Sequence, residues 1–407
     1  MTHADKFRFV CTTCGREFKP APDLYLCPDC AQDIPGQPPR GILKVEYHYE
    51  RVPDDLSTLF RTGFLDLLPI LNQKSRSPLL AGHTPLLRVN QPSGGRIKHD
   101  LFIKDDSRNP TFSFKDRASD IVSAYAKEKK IKRIVAASTG NAGSSLAGIC
   151  ASQNQEAVIL APAGAPPAKL AQIVHYGARL VPVQGSYDDA FALSLEATRR
   201  FSWYNRNTAF NPLTVEGKKT VAFELVTQLG GAIPDFVFVP VGDAVILTGV
   251  FKGFEELLRI GVIDEFPVIV AVQAVGSSNF VRNLGNDEFC ATPATTRADS
   301  ISVNVPANFH WAAQYMHEWE AEWITVSDAS ILDASKLLGR AYGVFAEPAA
   351  AAAMAGYLAY HRENRIWEDA VVVVLNTGCG LKDVPFVQTA LPEAIPPTPE
   401  ALVDFLK

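Results

Sequence analysis

From about residue 100 the chain alternates short apolar, β-branched runs with stretches of helical periodicity. IKRIVAAS (131–138) leads into a Gly/Ala-rich helical pattern from Asn141, EAVILAP (156–162) into one through KLAQIVHYGA, and ARLVPVQ (178–184) into one from Tyr187. A second series follows: DFVFVPVG (235–242) with a helix to about Arg259, VIVAVQA (268–274) and AVVVVLNTG (370–378). These runs are apolar throughout rather than alternating, as strands covered on both faces must be. Such alternation predicts parallel strands with crossover helices. Two series predict two α/β lobes with a cleft between them, where ligands bind at the carboxyl ends of the strands. The run Ala349–Ala353 predicts a close-packed helix.

Composition narrows the class. The chain has 407 residues, 47% hydrophobic and 20% charged, so it can bury a large core and is neither disordered nor fibrous. Its net charge of -5 gives no overall positive field for nucleic acid or anionic lipid, so an anionic ligand must be held locally. The opening MTHADKFRFV has no apolar leader, and no run of about eighteen apolar residues occurs, so a cytoplasmic protein without a membrane partner is expected. The Pro-rich tail Ile395–Lys407 reads as a surface terminus.

Four of the seven cysteines lie near the start, as Cys11-x2-Cys14 and Cys27-x2-Cys30. Two such knuckles can offer four thiolates to one tetrahedral zinc, coupling the folding of a short segment to metal binding; two disulfides are the alternative. Residues 1–40 balance five basic (Lys6, Arg8, Arg16, Lys19, Arg40) against five acidic side chains (Asp5, Glu17, Asp23, Asp29, Asp33), which fits a structural cap better than a nucleic-acid reader. Cys150, in an apolar helical stretch, is expected to be inert packing.

The chemistry concentrates in Asn109-Pro110-Thr111-Phe112-Ser113-Phe114-Lys115-Asp116-Arg117. Asn-Pro and Thr form a turn, and Ser113 is expected to cap a helix starting near Lys115. An interior amine at a helix start meets both dipole and desolvation effects that disfavour its ammonium form, which makes it a nucleophile toward an aldehyde. A solvated first-turn lysine is the plainer reading of the same spacing.

This stretch resembles the lysine motif of fold-type II pyridoxal phosphate enzymes, and of threonine synthases in particular. Further matches follow in order: Gly82-His83-Thr84-Pro85-Leu86, Ser138-Thr139-Gly140-Asn141, Asn211-Pro212 through Glu216-Gly217-Lys218-Lys219-Thr220, Glu347-Pro348-Ala349 and Thr377-Gly378-Cys379-Gly380-Leu381-Lys382-Asp383. The resemblance implies a two-lobed fold with open twisted sheets flanked by helices, plus a zinc-ribbon-like segment over 1–40. It places the large cofactor-binding lobe at 41–117 and 216–407 and the smaller lobe at 118–215. Family members are commonly homodimers, so the same assembly is expected.

The resemblance also implies roles. Lys115 would bond the cofactor's aldehyde and shuttle the proton at substrate Cα. Asn141 would bond the phenolic oxygen, and Thr377 would serve the pyridine nitrogen with a hydroxyl that suits elimination and replacement over transamination. Thr84 and Ser138, Thr139, Gly140 and Asn141 would bind substrate. Gly242, Asp243, Ala244, Val245 and Ile246 would cradle the cofactor phosphate at a helix start. That loop departs from the Gly-Asn-Ala-Gly-Asn usual in threonine synthases, since a carboxylate near a phosphate is repulsive and Val245 limits close backbone approach.

The implied reaction is conversion of O-phosphohomoserine to threonine and phosphate. Two expected phosphate-binding cations are replaced, by Ala165 and Thr214, leaving Lys169, Lys218, Lys219 and Arg297 as candidates. Two other readings remain open: a lyase or β-replacement enzyme acting on serine, threonine or O-phosphoserine, similar to cysteate synthase, and a catalytically idle metabolite-binding protein.

Overall fold

The computed structural model describes residues 2–32, 34–89, 97–384 and 394–406. Among the described residues, thirteen strands form three sheets. The N-terminal sheet is antiparallel, with β1 (Phe7–Cys11) between β2 (Glu17–Phe18) and β3 (Leu43–Tyr47). The largest sheet comprises β4 (Leu86–Val89), β5 (Asp100–Asp105), β10 (Phe236–Pro240), β11 (Val268–Ala274), β12 (Glu322–Val326) and β13 (Val371–Asn376). Its order is β12-β11-β10-β13-β5-β4, parallel except for the antiparallel edge strand β4. The third sheet is wholly parallel, in the order β8-β7-β6-β9, built from β6 (Arg133–Ala137), β7 (Glu156–Pro162), β8 (Arg179–Val183) and β9 (Tyr204–Asn205).

The apolar runs become the central strands. Every residue of β10 is buried, because helices cover both faces of its sheet. On one side lies the helix Pro348–Arg362, whose alanines at 349–353 are all buried and let its backbone approach the sheet closely. The expected crossover helices run Asn141–Ser152, Pro167–His175, Tyr187–Phe201 and Val245–Arg259. Cys150 is fully buried, and burial pushes its thiol up, consistent with packing. Of the tail, the structure places a helix at Pro399–Leu406 with Leu402, Val403, Phe405 and Leu406 exposed; Lys407 lies outside the described residues.

The N-terminal sheet is joined to the main body by core packing. Phe7, Phe9, Val45 and Tyr47 are buried in the same cluster as the helices beneath, each contributing about 1.5–3 kcal/mol of apolar burial. The Tyr47 hydroxyl donates to Glu216 Oε2 at 2.6 Å, and Lys6 Nζ donates to the carbonyls of Leu65 and Ile70. Tyr25 accepts the Asn205 N–H at 2.9 Å, linking the segment to the edge of the four-stranded sheet.

Candidate active site

Lys115 is the first residue of the helix Lys115–Glu128. The turn before it closes through Phe112 N–H to the Asn109 carbonyl at 2.8 Å, with Phe112 in the left-handed region at φ 70°. The expected Ser113 cap is absent. Phe114 occupies the cap position without a side-chain bond, and the buried Ser113 Oγ has no partner among the described residues. Asp116 does the local work instead, accepting the Thr111 N–H and hydroxyl. Ser113 forms an isolated bridge with Gly378, and Phe114 N–H donates to the Thr377 carbonyl at 2.9 Å. The lysine loop is thereby tied to the carboxyl end of β13, which brings Lys115 and Thr377 to one place.

That place is a small cavity lined by Lys115, Asn141, Gly242, Asp243, Ala244, Ile246, Glu347 and Thr377, among others. Its walls come from Pro240 at the end of β10, from Thr377 just past β13 and from the starts of the helices Lys115–Glu128, Asn141–Ser152, Val245–Arg259 and Pro348–Arg362, as open α/β folds dictate. Gly242 allows the loop after β10 to approach the 3-10 turn Asp299–Ile301; a Cβ there would lie 2.9 Å from Ile301 Cα. Ala244 holds φ 64°, a strained value for a residue with a side chain, at the start of the helix Val245–Arg259.

Glu347, which begins the Ala-rich helix, meets Asn141 across the cavity. Asn141 Nδ2 lies 3.0 Å from each carboxylate oxygen. Burial pushes the Glu347 carboxyl up to about 7 against the opposing effect of the Asn141 bond and of Lys382 and Lys115. The carboxylate of Asp243 behaves oppositely: burial raises it, but Lys115, Lys218, the Val245 N–H at 3.2 Å and Arg206 together hold it below its usual range.

Arg206 and Lys218 are both fully buried beside this loop. Arg206 donates to Thr208 Oγ1 at 2.7 Å and Ser119 Oγ at 3.1 Å; burial pulls its guanidinium down to about 10, against Asp243 and Asp116, so it remains a cation at neutral pH. Lys218 Nζ has no hydrogen-bond partner among the described residues. Burial, with Lys115 adding repulsion, drives its amine well below the ordinary lysine range while Asp243 opposes.

Other expected site residues sit differently. Ser138 Oγ accepts the N–H groups of Gly140 and Gly143 at 3.2 and 3.0 Å, so it organises the turn Ser138–Asn141 from behind. Thr139 and Gly140 are half-buried at that turn. Val245 faces the core, and its N–H serves Asp243. Thr84 stands apart: its buried hydroxyl donates to Asp106 at 2.7 Å and accepts from Arg117, inside an ionic network with Glu224 and Lys104.

Among the cations considered for a substrate phosphate, Lys169 pairs with Asp299 at 2.7 Å and Lys219 is buried between Glu216 and Glu256. Lys218 and Lys219 are both fully buried. Sequence reasoning quoted Glu347 within a matching motif without giving it a role, and passed over Arg206. The signal for Glu347 was a carboxylate directly before a helix-initiating proline; Arg206 carried none.

A family model of pyridoxal-phosphate dependent enzymes matches residues 78–378. The chain belongs to this family. It is a pyridoxal-phosphate-dependent lyase, 33% identical over 384 residues to a threonine synthase of Methanocaldococcus jannaschii, covering 92% of each chain. It is 36% identical over 321 residues to a threonine synthase of Synechocystis, covering 78% of this chain and 81% of that one. In fold it is similar to a threonine deaminase from Solanum lycopersicum, with TM-score 0.66 and 24% identity over 80% of this chain and 85% of that one.

The residues present fit the family's cofactor. An amine lines the cavity at Lys115, a hydroxyl-bearing residue at Thr377, and a buried amine without a hydrogen-bond partner among the described residues stands at Lys218 behind a helix start. The four N-terminal cysteines also converge: their sulfurs lie within 4.8 Å of one another, with Cys14 and Cys27 at 3.9 Å. Tetrahedral Zn–S bonds place sulfurs about 3.8 Å apart, so the set fits zinc. Among the described residues, no helix is long and apolar enough to cross a membrane.

Proposed function

We propose that this protein is a threonine synthase, converting O-phosphohomoserine to threonine and phosphate. The observation that supports it is the convergence of Lys115, Asn141 and Thr377 on one cavity at the strand ends, in a chain whose curated relatives are threonine synthases. When bound, the cofactor supplies an electron sink that makes the substrate Cα hydrogen acidic. Lys115 holds the cofactor's aldehyde and moves the proton at Cα. Asn141 orients the ring through its phenolic oxygen, and Thr377 offers the pyridine nitrogen a hydroxyl. N–H groups of the turn Ser138–Asn141 hold the substrate carboxylate. A Cβ proton is lost as phosphate leaves Cγ, Cγ takes up a proton to become the methyl group, water adds its hydroxyl at Cβ, and a proton returns to Cα.

In this reading residues 41–117 and 216–407 carry the cofactor, 118–215 form the smaller lobe, and the N-terminal cysteines hold a structural zinc. Borohydride reduction of the cofactor-treated protein should tag Lys115, and Lys115→Ala should remove both the tag and turnover. A tag elsewhere in the chain contradicts the assignment.

A second reading, β-replacement or elimination on serine, threonine or O-phosphoserine, is favoured by one observation. Thr214, standing where an arginine was expected, is buried and its hydroxyl is spent on the Asn211 carbonyl at 2.8 Å. Parallel incubations with O-phosphohomoserine and O-phosphoserine, scored for phosphate and amino-acid product, separate the two.

A further inference from the structure

We propose that Lys218 is a phosphate-binding residue of this chain, giving the cofactor's phosphate monoester a buried ammonium partner that compensates for the carboxylate of Asp243 in its loop. The inference rests on the cofactor reading above and deepens it.

Three observations carry it. The loop Gly242–Ile246 opens the helix Val245–Arg259, whose N-terminal end favours an anion, yet the first N–H there donates to Asp243 Oδ1 at 3.2 Å. A carboxylate has therefore taken part of the loop's donor capacity and adds a negative charge where a phosphate dianion would sit. Backbone donors alone would face that repulsion in a poorly screened interior.

Second, Lys218 is fully buried, and its Nζ lacks a hydrogen-bond partner among the described residues. Buried amines are ordinarily hydrogen-bonded, and one left unsatisfied is destabilising unless an anion arrives to pair with it and favour its ammonium form. The neighbouring lysine makes the contrast: Lys219 is equally buried but bonded to Glu216 and Glu256. Arg206, the other buried cation here, already has acceptors in Ser119 and Thr208.

Third, Lys218 interacts electrostatically with Lys115 and Asp243, both on the cavity wall. With Lys115 committed to the aldehyde, Lys218 and Arg206 remain as the interior basic groups facing Asp243. A phosphate monoester, carrying about −1.5 to −2 charge, is the ligand class that balances them. The substrate's phosphate has the same chemistry, so the test separates the two sources.

The test compares pyridoxal phosphate with pyridoxal, which has the same aldehyde but no phosphate, by titrating the visible imine band of the apoprotein without substrate. Lys218→Met should weaken pyridoxal phosphate binding roughly 10- to 100-fold and leave pyridoxal binding unchanged. Asp243→Asn should shift the same ratio the other way, tightening pyridoxal phosphate alone. A misfolded variant cannot produce that opposite sign. An unchanged ratio in Lys218→Met, with wild type binding pyridoxal phosphate normally, overturns this inference and leaves the cofactor reading standing. So does a Lys218→Met whose only loss is a higher KM for a phosphorylated substrate, which would give the lysine to the substrate instead. A wild type that forms an imine with neither aldehyde overturns the cofactor reading itself.

Discussion

Asn141 Nδ2 sits 3.0 Å from both carboxylate oxygens of Glu347, so one amide is fixed across the cavity by an acid with no ion-pair partner at hydrogen-bonding distance among the described residues. The pair joins the smaller sheet's first crossover helix to the Ala-rich helix of the larger one. It orients Asn141 relative to Lys115 and Thr377 and makes Glu347 a positioning residue that titrates in the physiological range.

The titration has a definite sign. Burial raises Glu347 from 4.5 to about 7, so the folded chain holds a proton that the unfolded chain has released. That stabilisation is complete below pH 4.5 and is lost as pH rises through about 7. In urea unfolding of the apoprotein, wild type should lose about 2–3 kcal/mol relative to Glu347→Gln between pH 5 and pH 8. A constant difference across that range contradicts a buried, protonating Glu347.

Thr84 offers a test between two roles. Its hydroxyl bridges Asp106 and Arg117, deep beside the Glu224 and Lys104 pair. Thr84→Val should therefore lower stability by about 1–3 kcal/mol, because it leaves buried charged groups short of a partner. Substrate KM should stay within about twofold of wild type, a shift well under 1 kcal/mol. A raised KM with unchanged stability would return Thr84 to the substrate site.

The architecture was legible where burial is uniform. The strands β6, β7, β10, β11 and β13 emerge as continuous apolar runs because helices cover both sides of their sheets, whereas β8, also read as an apolar run covered on both faces, is a largely exposed edge strand. β5, with the sequence DLFIKD, was hidden by its ends: Lys104 is fully buried only because Glu224 and Gln228 receive its ammonium. β12 is a half-exposed edge strand, and β9 has two residues, too few for any period. Lys115 could be found from local order, since its turn and helix start are contiguous. Lys218 and Arg206 owe their importance to burial produced by distant elements, which no local pattern records. Ser113 was read as a cap because the reading lacked its bridge to Gly378, 265 positions away in the chain and set by the fold.

The N-terminal cysteines make a prediction about the whole molecule. Because Phe7, Phe9, Tyr25 and Tyr47 are continuous with the main core, losing the metal should destabilise more than a terminal tag. Purified protein should contain zinc in a 1:1 ratio by elemental analysis. Chelation or Cys14→Ser should lower the thermal midpoint of the full chain, with protease sensitivity spreading beyond residue 47. Full stability without bound metal would show that packing alone suffices.

Gly217 fixes the distance on which the two interior lysines depend. A Cβ at this position would lie 2.0 Å from the Arg117 carbonyl oxygen, which is backbone and cannot rotate away. Here the helix Leu213–Lys218 crosses the helix Lys115–Glu128 so closely that Lys115 and Lys218 interact across the gap. Gly217→Ala must push the helices apart, at a cost of about 1–3 kcal/mol for overpacking and more if the backbone resists. The same displacement should weaken uptake of pyridoxal phosphate and of pyridoxal alike, since it moves Lys115 as well as Lys218. That pattern differs from Lys218→Met, in which only the phosphorylated aldehyde should be affected. Should Gly217→Ala bind both aldehydes as wild type does, the close crossing is not what positions the lysines, and the cavity must tolerate a wider spacing than its walls imply.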